Sequence, residues 1–129
     1  MGVKTVEELI AFQLAREFKL ETYRITRESP EACRDLKFKS QLFEAASGVE
    51  SCIAEGFGRW LASEFAQFLR YAVASLAESE VRLRDGVDRG HFTADTVAPA
   101  HLLAKRCRTA TLRLFKSLEP YRRGSKNRK

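Results

Sequence analysis

One seam constrains this chain most. Val97, Ala100, Ala104, Cys107, Thr111, Leu114 and Leu118 alternate steps of three and four without a slip. Only an α-helix brings such positions onto one face. Three earlier segments repeat the pattern. Over Val6 to Glu28 the inward stripe is Ala11, Leu14, Phe18, Thr22 and Ile25, and the residue before a proline disfavours helical angles, so Ser29-Pro30 should end it. Over Asp35 to Glu55 the stripe is Leu42, Ala45, Ala46, Val49 and Ile53, with Gly56 and Gly58 suited to a left-handed helix stop. From Ser63, a plausible N-cap, Phe65, Leu69, Ala72, Leu76, Ser79 and Leu83 recur until DGVDRGHF breaks the run. The fourth helix begins between Thr93 and Thr96, with Pro99 in its first turn.

Four amphipathic helices with short connections predict an all-α, antiparallel up-down-up-down four-helix bundle. Residues 1–119 form the bundle, and residues 120–129, within PYRRGSKNRK, form a flexible basic tail. A chain of 129 residues suffices for one core, and neither a repeat nor a Pro/Ser-rich linker divides it.

Two helices carry more apolar surface than that core requires. Leu9, Phe12, Leu20 and Tyr23 lie beside the first stripe, and Ala66, Val73, Ala77 and Val81 lie beside the third. Such two-sided helices predict a subunit interface. On the second helix Glu44, Gly48, Ser51 and Glu55 share a further direction, where small side chains permit close approach by another backbone.

Charge is segregated. Residues 1–95 hold 13 Lys/Arg against 16 Asp/Glu, whereas 96–129 hold 10 Lys/Arg against Glu119 alone, a net −3 beside a net +9. Lys105, Arg106, Arg108, Arg113 and Lys116 lie mainly off the apolar seam, and Arg122, Arg123, Lys126, Arg128 and Lys129 carry the charge onward. Clustered cations attract RNA or DNA through counterion release, without sequence preference. The alternative is a protein-interaction scaffold whose charge serves solubility.

Chemistry is sparse. Cys33, Cys52 and Cys107 are an odd, widely spaced set that reads as small buried or half-buried thiols. His91 and His101 lie in no metal-ligand spacing, so neither metal nor cofactor is expected. GFG at Gly56 to Gly58 is too short for a dinucleotide fingerprint and follows a helix. A general acid/base needs a second polar group in a cleft, and neighbouring Glu50 points to another side of the helix from Glu55, which should accept hydrogen bonds from backbone amides or Arg59. No enzymatic activity is expected. MGVKTVEELIAF lacks the apolar run and cleavage site of a signal peptide, and no segment approaches a membrane span, so the expected location is cytoplasmic.

QLFEAASGVESCIAEGFGR (41–59) and SEFAQFLRYAVASLAESE (63–80), preceded by FQLAREFKLETYRIT and Ser29-Pro30, resemble the 23S rRNA intervening-sequence protein family, also called four-helix bundle proteins. Glu55, Gly56 and Arg59 stand in its most distinctive motif. Glu50 and Cys52 replace the family's usual Pro and Asn, and Trp60-Leu61 replaces a small polar cap. The resemblance implies an antiparallel bundle assembled as a ring-like homopentamer. It also implies a link to ribosomal RNA genes, and similarity to retroelement accessory proteins that bind nucleic acid and a reverse transcriptase.

Overall fold

The computed structural model describes residues 2–122. A 3-10 turn over Val6–Glu8 leads into α1 (Ile10–Arg27), α2 (Pro30–Arg34), α3 (Leu36–Phe57), α4 (Ala62–Asp88), α5 (Ala94–Ser117) and α6 (Glu119–Arg122). The chain is all-α, with no strand among the described residues.

Local chemistry sets most boundaries. Ser29 ends the first helical segment and caps α2, its hydroxyl accepting from the Ala32 N–H at 3.2 Å while Pro30 occupies the first helical position. Asp35 caps α3 by accepting from the Phe38 N–H at 3.3 Å, and Thr93 caps α5 by accepting from the Thr96 N–H at 3.1 Å. Ser63 is not the cap of α4. That helix starts at Ala62 with Leu61 as its extended N-cap residue, and the Leu61 carbonyl accepts from Glu64 and Phe65. Because α5 begins at Ala94, Pro99 lies one turn deeper than expected, exposed, where the Asp95 carbonyl loses its usual partner to solvent.

Two glycines serve contact rather than turning. Gly58 has φ −74° and Gly56 is buried in the last turn of α3, so neither makes the expected left-handed stop. Gly90 is the glycine with positive φ, at 83°. A Cβ on Gly56 would stand 2.6 Å from Phe68 Cβ and 3.0 Å from Phe65 Cδ1, so α3 and α4 meet there almost backbone to backbone. Gly48, offered for an outside partner, faces Ser75 of α4 instead.

The four long helices pack as α1 on α3, α3 on α4, α4 on α5 and α5 on α1. Their stripes fill one core in which Phe18, Phe65, Ile25, Leu42, Ile53, Leu69, Leu76 and Leu83 are fully buried. Leu114 alone of the α5 stripe is half-buried. Buried hydroxyls mostly bond back along their own helices: Thr26 to the Thr22 carbonyl, Ser79 to Ser75 and Thr111 to Cys107, each at 2.7 Å. Of the residues assigned to the tail, Pro120 to Arg122 belong to α6 and Tyr121 packs against the core, while residues 123–129 lie outside the described residues.

Candidate functional site

Charged clusters first tie the helices together. Arg16 and Lys19 of α1 both reach Glu50 of α3, which gives the unusual Glu50 a structural partner. At the other end His91 Nε2 lies 2.9 Å from Asp35 Oδ2, and Arg89 Nη1 donates to the same oxygen at 3.1 Å. The His91 bond, outweighing partial burial, with help from the Phe38 N–H and Arg89, holds the Asp35 carboxyl below its usual range. Between α4 and α5, Glu80 accepts from Arg108 and lies 2.9 Å from His101 Nδ1. Burial pushes the Glu80 carboxyl up, but the bonds and charge of His101 and Arg108 prevail and hold it below normal. Both histidines thus serve carboxylates, and among the described residues no His/Cys/Asp/Glu group has a metal-holding arrangement.

The Glu55, Gly56 and Arg59 motif clasps α3 to α4. Arg59 donates to Glu55 at 3.0 Å and to Glu64 at 3.4 Å, and its guanidinium lies 4.9 Å over the Phe68 ring beside Gly56. Cys107 is buried, with Cys33 and Cys52 half-buried, and burial pushes the Cys107 thiol up to about 11 against a smaller opposing pull from Thr111.

The residues expected to form a subunit interface divide. Leu9 and Ala66 are core, 6 % and 3 % exposed, and are withdrawn as interface residues. Leu9 precedes α1 in extended backbone, so helical phase does not place it, and Ala66 is on a stripe broadened because α4 packs on both α3 and α5. Phe12 packs partly on the core, and Tyr23 is occupied by Phe43, ring centroids 4.4 Å apart. Leu20, Ala77 and Val81 are exposed and Val73 is half-exposed. Val73 and Ala77 line an apolar groove of about 350 Å³ between α4 and α5, with Leu69, Arg70, Ala74, Leu112 and Phe115.

The basic residues divide as well. Arg108 is spent on Glu80, and Arg122 pairs with Glu119 while lying 4.5 Å over the Phe115 ring. Lys105, Arg106, Arg113 and Lys116 are exposed, with no carboxylate in ion-pair range among the described residues. Arg123, Lys126, Arg128 and Lys129 lie outside the described residues. Unforeseen was the company of these cations. Lys105, Arg106 and Arg113 border a groove of about 380 Å³ between α1 and α5, with Ile10, Leu14, Leu102, Thr109 and Ala110. Ile10 is 61 % and Leu102 58 % exposed. The spacing carried that signal, since Leu102 lies three and four residues before Lys105 and Arg106 and so shares their face.

Among the described residues the chain is thus an all-α protein with interhelical grooves and a run of exposed cations on α5. The model of the 23S rRNA-intervening sequence protein family matches residues 7–111, and the chain belongs to that family. No curated relative matches the chain. Among the described residues no helix is long and apolar enough to cross a membrane.

Proposed function

We propose that the chain is a non-enzymatic, cytoplasmic, self-associating bundle that binds RNA or DNA along α5. The observation that carries this reading is the set of exposed cations on α5, Lys105, Arg106, Arg113 and Lys116, that pair with no carboxylate among the described residues. At 100° per residue the four fall within an arc of about 100°, on one helix face. Their opposite charge to phosphate and their exposure suit backbone contacts, which position a nucleic acid without reading its sequence.

The helix directions belong to the same proposal. Gly56 meets Phe68, Gly48 meets Ser75 and Gly86 meets Phe38, so residue number falls on α3 as it rises on α4. Lys19 with Glu50 and Tyr23 with Phe43 follow the same rule for α1 and α3, and Ala11 with Cys107 at one end and Ser29 with His91 at the other follow it for α1 and α5. Antiparallel neighbours in a closed circuit are an up-down-up-down bundle. Self-association rests on the α4/α5 groove, whose apolar lining continues into exposed Val81 and Leu112. Five copies in a ring is the number the family resemblance implies.

The test is fluorescence anisotropy of labelled RNA and DNA against the full chain across a salt series. Four phosphate contacts predict a slope of log affinity on log salt of about −3.6 on duplex, roughly a 150-fold loss from 50 to 200 mM. Reversing Lys105, Arg106 and Arg113 to Glu should abolish most of that slope. Absence of binding at 50 mM salt would refute the nucleic-acid reading and leave a protein-interaction scaffold. Sedimentation tests the other half: Val73→Glu should dissociate the assembly with helicity intact, and a monomeric wild-type chain would refute it.

A further inference from the structure

The α1/α5 groove has a form that phosphate contacts alone do not use. Beside the hollow already described lies a second, of about 280 Å³, lined by Leu9, Ile10, Ala11, Ala110, Arg113 and Leu114. Ile10, Ala110 and Arg113 line both, and so stand where the two hollows join. Ile10 projects there 61 % exposed, and Leu102 closes the far side 58 % exposed. The arrangement is thus two adjoining hollows that share Ile10, Ala110 and Arg113, apolar at Leu9, Ile10, Leu14 and Leu102 and edged by cations that pair with no carboxylate among the described residues.

From this the geometry points to single-stranded nucleic acid as the ligand, its unpaired bases seated in the two hollows and its phosphates on Lys105, Arg106 and Arg113. The inference rests on the nucleic-acid reading above and names its class. A duplex keeps its base faces stacked inside and offers this surface only a charged, convex backbone, so Ile10 and Leu102 would gain nothing from it. A single strand offers separate flat apolar faces on a flexible anionic string, which is what adjoining hollows of mixed apolar and cationic lining accommodate. Arg106 and Arg113 add planar guanidinium groups, which stack on bases as well as pairing with phosphate. Along α5 the eight steps from Lys105 to Arg113 rise about 12 Å, a run that tracks a few nucleotides. An acidic amphipathic helix is the competing occupant by charge, but it needs a continuous apolar floor for anchors at i, i+3, i+4 and i+7, whereas Lys105, Arg106, Thr109 and Arg113 make half the lining of the hollow at Leu102 polar or cationic.

The experiment compares labelled single-stranded RNA and DNA, duplexes of the same length and an acidic amphipathic peptide. All are titrated in low salt against the full chain and against an Ile10→Ser, Leu102→Ser variant. Both positions are exposed, so the variant should keep wild-type helicity by circular dichroism. Single strands are expected to bind at least tenfold tighter than duplexes, and the double serine variant to lose about tenfold on single strands and nothing on duplexes. Equal binding of duplex, or an unchanged variant, would overturn this inference and leave the broader nucleic-acid reading standing. No binding of any nucleic acid would overturn both, and Leu102-dependent binding of the peptide alone would assign the groove to a protein partner.

Discussion

Gly56→Ala isolates the closest contact in the fold. In an exposed helix the change would stabilise by up to about 1 kcal/mol, through helix propensity and a less flexible unfolded chain. Here the new methyl would lie 2.6 Å from Phe68 Cβ, the stem of that side chain and not a tip that can rotate away. It would also lie 3.0 Å from Phe65 Cδ1, a ring that is fully buried. Relief requires α3 and α4 to separate by most of an ångström at the Arg59 clasp, and overpacking of this kind costs about 1–3 kcal/mol. Taking the upper end, because the clash is with a stem, the net is a loss of about 2 kcal/mol, or roughly 8 °C in Tm. Gly48→Ala supplies the control. Its methyl would meet only the Ser75 hydroxyl, at 3.3 Å, and that group can turn. Propensity should win there, for a gain of about 0.5–1 kcal/mol. Urea and thermal melts followed by circular dichroism at one fixed protein concentration would read both variants, the fixed concentration removing any contribution from assembly. A Gly56→Ala protein as stable as Gly48→Ala would refute the close approach.

Two other predictions follow from titration. Burial holds the Cys107 thiol at about 11 and, with Glu55, also pushes the half-buried Cys52 thiol up, so at pH 8 an aromatic disulfide reagent should modify Cys33 first and Cys52 more slowly in the native chain, and reach Cys107 only after unfolding; three thiols reacting at one rate would contradict this. Glu80 has a folded-state pKa below its unfolded value, so its contribution is present above the ordinary carboxylate range and is lost as pH falls through the lower folded value. Glu80→Gln should therefore cost about 1–2 kcal/mol at pH 7, after allowance for screening at this seam, and should flatten the fall in stability below about pH 4.5; an unchanged acid limb in pH-dependent melts would count against the pairing with Arg108 and His101.

Helix interiors were legible in the sequence because a buried stripe repeats every three or four residues whatever surrounds it. Phe18, Leu42, Leu76 and Ala104 fall where the period puts them, all fully buried. Places where several elements meet were not legible. Leu9 lies outside the regular helix, so its direction is set by the chain folding over the body. Ala66 is claimed by packing from two neighbours, which one helix's phase cannot reveal. Gly56 read as a helix stop because sequence shows freedom of φ and not the absence of space beside Phe68. Short α2 and α6, of five and four residues, are below the length at which periodicity carries information. For the candidate site the cations were visible by count, but their neutralisation was not. Glu80 lies 28 positions from Arg108, and only packing of α4 on α5 makes one cation spent while Lys105 and Arg106 stay free.

α5 borders both grooves, so under the proposed reading assembly and binding would be coupled. Its Leu112 and Phe115 line the hollow against α4, whereas Leu102, Thr109 and Ala110 line the one against α1. A partner subunit seated on the α4 side would therefore leave the α1 side open, and every copy in a ring would present the same cationic groove. A strand long enough to visit two grooves makes its second contact at the effective concentration set by the ring, which raises avidity by about 10²–10⁴ without any new contact. Val73 lies outside the α1 groove and beside none of its cations, yet if the chain forms the proposed ring, Val73→Glu should dissociate it and lower affinity for a strand long enough to reach two copies by at least tenfold. Affinity for an oligonucleotide confined to one groove should stay as it was. Equal losses on long and short strands would mean that Val73 acts on the binding surface itself, and no loss on either would mean that each groove binds alone.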